Sequence, residues 1–77
     1  MPRFYFHTDN GQPLRDREGV VLPGMDAARH AAIRAFCEIL KDSDDFWRDG
    51  AFRMTVADDA DLTLFVIEAT VTTAAAG

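Results

Sequence analysis

Apolar and polar residues alternate over residues 3–8, RFYFHT, and the pattern predicts a β-strand. Phe4 and Phe6 point to one face of it; Arg3, Tyr5 and His7 point to the other. Asp9-Asn10-Gly11 follows as a turn signal, since Asn and Gly accept positive φ at little cost. A second strand is clearest at residues 19–22, GVVL. The polar segment between carries Pro13, which cannot donate to a ladder, and reads as an irregular edge strand or a loop. From Met25 to Lys41 the period changes to that of a helix, with Met25, Ala28, Ala32, Ala35, Phe36 and Ile39 on one narrow face. Leu40 and Ile33 flank that face, and its small alanines predict close packing on a sheet.

Residues 42–50, DSDDFWRDG, leave the helix. Ser43 is expected to cap a short extra turn, and Phe46 and Trp47 to close one end of the core. Alternation returns at residues 51–56, with Phe52, Met54 and Val56 inward and Arg53 and Thr55 outward. Asp58, Asp59, Ala60 and Asp61 form the predicted hairpin turn. The last strand, residues 62–71, is apolar on both faces: Leu62, Leu64 and Val66 on one, Phe65, Ile67 and Ala69 on the other. Residues 72–77 are expected to fray. The expected architecture is one α+β domain, β-β-α-β-β, a four-stranded and mainly antiparallel sheet with a single helix packed on one face.

Such a sheet leaves its second face without a covering layer. An apolar set on the last strand then points outward, and contiguous exposed apolar surface marks interaction sites. Tyr5, His7, Phe65 and Ile67 are the candidate interaction surface on this reasoning. Chain length favours the same conclusion. Seventy-seven residues make one small domain with a thin stability margin. Cys37 is the only cysteine, so no internal disulfide supports it, and one cysteine with His7 and His30 does not suggest zinc. Oligomerisation is the support that remains, and a homodimer or another protein partner is expected.

Net charge is −5 and the pI is about 4.7. Nucleic-acid binders carry a basic footprint, and binding to anionic membranes needs one too; neither partner is expected. No run of about 20 apolar residues offers a membrane span. The opening residues lack a signal-peptide pattern, and a cytoplasmic location is expected.

The order PRFYFH, then D-x-E-G-V-x-L-P at residues 16–23, then A-A-R-x-x-A-x-R at residues 27–34 resembles a family of small, stand-alone bacterial domains of unknown function. The resemblance covers about half of the chain, and the second hairpin agrees only in general character. That family commonly has Asp at the position of Gly24 and Glu at that of Ala31; this chain departs at both, which weakens the helix cap and any role the Glu had. The resemblance implies the α+β fold and a bacterial cytoplasmic setting, and brings no activity or catalytic residues.

Candidate chemistry is sparse, and a non-enzymatic module is the leading expectation. His7 near Asp9 suits a general base or metal ligand, but also a polar residue at a strand end. His30 and Cys37 lie near the outer side of the helix but about 10 Å apart along its axis, beyond hydrogen-bond reach. Asp26 is spaced to pair with His30, and Arg34 with Glu38. The acidic clusters at residues 42–45 and 58–61 lack the spacing of a helix-loop-helix calcium site. Anion binding at the start of the helix is opposed by Pro23, which removes an N–H, and by Asp26 in the first turn. No catalytic residue, cofactor or metal is expected. A small-molecule site around Tyr5 and His7 is the alternative function.

Overall fold

The computed structural model describes residues 1–44, 46–72 and 74, with the backbone alone at residue 49. Its elements are β1 (Arg3–Asp9), β2 (Pro13–Leu14), β3 (Val20–Val21), α1 (Met25–Lys41), α2 (Phe46–Asp49), β4 (Ala51–Ala57) and β5 (Thr63–Thr70). All pairings are antiparallel and run in the order β2-β1-β4-β5, with β3 also on β1. β2 pairs with the end of β1 and β3 with its start, so the two short pieces are one interrupted edge strand. The α+β fold expected from the sequence is the fold observed.

The register divides the sheet into two faces. Phe6 stands opposite Val56, Met54 opposite Ile67 and Val56 opposite Phe65. These residues face α1, which buries Ala28, Ala32 and Phe36 against Phe4, Phe52, Met54 and Val56. Ala28 and Ala32 are fully buried, so the small side chains do let the helix lie close to the sheet. Phe36 and Phe52 stack with ring centroids 4.8 Å apart. The helical stripe is rotated slightly from the expected one. Leu40 packs against the core, whereas Ile39 is 40% exposed.

Three expectations are corrected. Trp47 does not close the core, since it is 77% exposed and only Phe46 packs inward. The Ser43 side chain does not turn to α2: its hydroxyl donates back to the Ile39 carbonyl, at 2.7 Å, and only its own carbonyl accepts the Phe46 N–H, at 3.1 Å. Asp26 pairs with Arg29, at 3.2 Å, and Glu38 with Lys41, at 3.5 Å. Asp45 of the first acidic cluster, and residues 73 and 75–77 of the tail, lie outside the described residues.

The doubly apolar last strand also resolves differently. Phe65 stands opposite Val56 but Thr63 opposite Ala57, so Leu64 is the extra residue of a β-bulge. The bulge lets Leu64 join Phe65 against the core. Leu62 lies before the strand, in the hairpin loop, and Val66, 45% exposed, is left as the apolar residue of β5 on the second face. Tyr5, His7, Arg53, Thr55, Ala57 and Glu68 share that face, which is mixed rather than apolar.

Candidate functional site

The four residues of the expected interaction surface fall into two groups. Tyr5 and His7 stand opposite Ala57 and Thr55 on the open face. Phe65 and Ile67 lie on the helix face, half-buried against the core. A single surface made of all four is therefore excluded, because strand side chains alternate and the register sets the two pairs on opposite faces.

His7 is built into the interrupted edge. Between its contacts with β2 and β3, the outer edge of β1 has no strand beside it, and the Asp16 carboxylate fills the gap. Phe6 N–H donates to Asp16 Oδ2 at 3.1 Å; Glu18 and Gly19 N–H both donate to Oδ1 at 3.1 Å. Asp16 N–H in turn donates to His7 Nδ1 at 3.0 Å. Burial raises the Asp16 carboxyl, but the N–H groups of Gly19, Phe6 and Glu18, with the neighbouring imidazole, outweigh it and hold the carboxyl below its usual 3.8. Arg3 Nη1 donates to the Glu18 carbonyl at 2.6 Å and ties the same loop to the start of β1. Gly19 completes the arrangement at φ 69°. A Cβ there would come within 2.9 Å of the Phe4 carbonyl oxygen and of Tyr5 Cε2. The sequence reading of single residues missed Asp16 and Gly19, although both lie in the D-x-E-G-V-x-L-P stretch.

An accepting Nδ1 places the proton of the neutral His7 ring on Nε2. The ring lies nearly parallel to that of Tyr5, 13° between planes and 6.4 Å between centroids. Two shallow depressions adjoin it on the open face. One, of about 360 Å³, includes Leu14, Arg53, Thr55 and Ala57; the other, of about 270 Å³, includes Tyr5, Arg17, Asp58 and Asp59. Asp9, the carboxylate expected beside His7, instead accepts the Gly11 N–H within its own turn.

The remaining candidates do not converge. Cys37 and His30 are both exposed on α1. Asp58 serves its own loop, accepting the N–H groups of Ala60 and Leu62 at 2.9 Å. Among the described residues no group of three or more His, Cys, Asp or Glu is placed to hold a metal. Nor is any described helix long and apolar enough to cross a membrane. The arrangement offers hydrogen-bond donors, cations and carboxylates around an imidazole.

No curated protein and no solved structure matches the chain. A family model, the domain of unknown function DUF6894, matches residues 3–70, from the start of β1 to the end of β5. On that match, which spans every strand and both helices, the chain belongs to the DUF6894 family.

Proposed function

We propose that the chain is a non-catalytic interaction module that self-associates through the outer edge of β5. The two sheet edges differ, and that difference carries the reading. The β2/β3 edge is interrupted, and Asp16 occupies its gap. Short pieces and irregular backbone are a usual protection against further pairing. β5 is eight residues long, contains no Pro or Lys, and pairs only with β4 among the described residues. Its outer backbone groups are a template for another strand.

A second copy suits that edge. An antiparallel two-fold pairing keeps each residue opposite one of the same face, and a two-fold centred on Val66 sets Phe65 opposite Ile67 of the second copy, twice. Aromatic and β-branched pairs of this kind are favourable, and both residues are only half-buried by α1. The exposed Val66 meets Val66 of the second copy on the open face. One face of the joined sheet then carries both helices. A cytoplasmic location belongs to this proposal, because the exposed Cys37 thiol suits a reducing compartment.

Light scattering at micromolar concentration tests the reading. The expected mass is twice the 8.5 kDa of one chain, and Val66→Lys, on the exposed side of β5, is expected to return the monomer. A monomer in the unsubstituted chain contradicts it. A second reading, a small-molecule site at Tyr5 and His7, is favoured by one observation: His7 Nε2 is buried without a hydrogen-bond partner among the described residues.

A further inference from the structure

Buried polar atoms are nearly always paired, so an exception calls for a physical account. At His7, Nδ1 is occupied by the Asp16 N–H, and the Nε2–H is the buried donor without an acceptor among the described residues. The two depressions of the open face have three lining residues in common: His7, Arg15 and Asp61. Arg15 Nη2 and Asp61 Oδ1 form an ion pair at 2.9 Å between residues far apart in the chain. That pair and His7 line both depressions, so the pair is taken as the partition between them. Both its side chains are more than half exposed, at 58% and 63%. Exposed ion pairs contribute little net stability, so this one yields readily to a competing anion.

We propose that the open face binds a small organic carboxylate, which replaces Asp61 at Arg15 and accepts the Nε2–H of His7. The inference rests on the second reading above, that a small molecule binds at Tyr5 and His7. A guanidinium matches a carboxylate in a planar fork, and opening the partition joins the two depressions into one trough. The joined volume is that of a small-metabolite site. Leu14, Ala57 and Tyr5 supply apolar wall for an organic body. Asp58 and Asp59 border the same trough and disfavour a dianion, which selects a monocarboxylate over phosphate.

The test follows the side-chain nitrogen resonances of His7 and Arg15 by NMR during titration of the full chain with sodium benzoate. Benzamide, the uncharged isostere, and inorganic phosphate are titrated in parallel. A saturable shift with benzoate alone is expected. Arg15→Gln is expected to weaken it roughly tenfold or more, by removing the charged fork. Asp61→Asn is expected to strengthen it several-fold by releasing Arg15. Asn tolerates the positive φ of 63° at that position, and neither substitution touches the core. Equal shifts with benzamide overturn the charge requirement and leave the small-molecule reading standing. Binding of phosphate alone overturns the carboxylate assignment. Silence from all three probes overturns the proposal, and a metabolite thermal-shift screen without a response removes the underlying reading as well.

Discussion

Gly19 and Asp16 carry more of this fold than their surface position suggests. Gly19→Ala places a Cβ against a backbone carbonyl that cannot move aside, in a backbone region unfavourable to L-residues. A loss of about 2 kcal/mol or more is expected, read by urea denaturation. Asp16→Asn keeps the shape but turns one acceptor into a donor, and either amide orientation sets that donor against a backbone N–H. The expected cost is about 1–3 kcal/mol. Its pH dependence has a definite sign. The folded carboxyl lies below its usual 3.8, so its contribution is complete above that value and is lost as pH falls through the folded value. Acid unfolding curves of the Asn variant are expected to lack that part of the slope below pH 3.8. A linear reading exposes Asp16 and Gly19 only as members of a motif. Their role depends on β1 lying ten residues away from Asp16 in sequence and beside it in space.

At the scale of elements, periodicity determined how much was readable. α1 spans Met25–Lys41 as its 3.6-residue pattern predicts, because seventeen residues of consistent periodicity outweigh local ambiguity. β4 follows its clean alternation for the same reason. β5 departs from its expected alternation on one face because a bulge inserts a residue, and alternation counted through Leu64 assigns that residue to the wrong side. The surface of Tyr5, His7, Phe65 and Ile67 failed with it, since faces are shared between strands only through register. Gly24, where the resembling family commonly has Asp, has φ 176°, extended backbone open to any residue. It is the N-cap of α1, with its carbonyl accepting the Ala28 N–H and no side-chain cap. Gly24→Asp is therefore expected to stabilise the domain by a few tenths to about 1 kcal/mol, seen as a higher urea midpoint. A Cβ there meets nothing within 4 Å.

For the whole molecule, the decisive feature is a sheet with one interrupted edge and one continuous edge. The motif at Asp16 and Gly19 maintains the first, and the proposed self-association uses the second. Under that proposal, lateral pairing would extend a core too small to leave a wide stability margin, without a disulfide. It would also give Phe65 and Ile67 a role at the rim of the helix face, separate from the one proposed for Tyr5 and His7 on the open face. Backbone amide exchange along Thr63–Thr70, followed by NMR at several protein concentrations, tests this most directly. An edge strand donates alternate amides to its one neighbour and exposes the rest. The account predicts that successive amides of β5 are protected alike at high micromolar concentration, and that alternate ones lose protection on dilution or in Val66→Lys. Alternate amides that exchange rapidly at every concentration would contradict it.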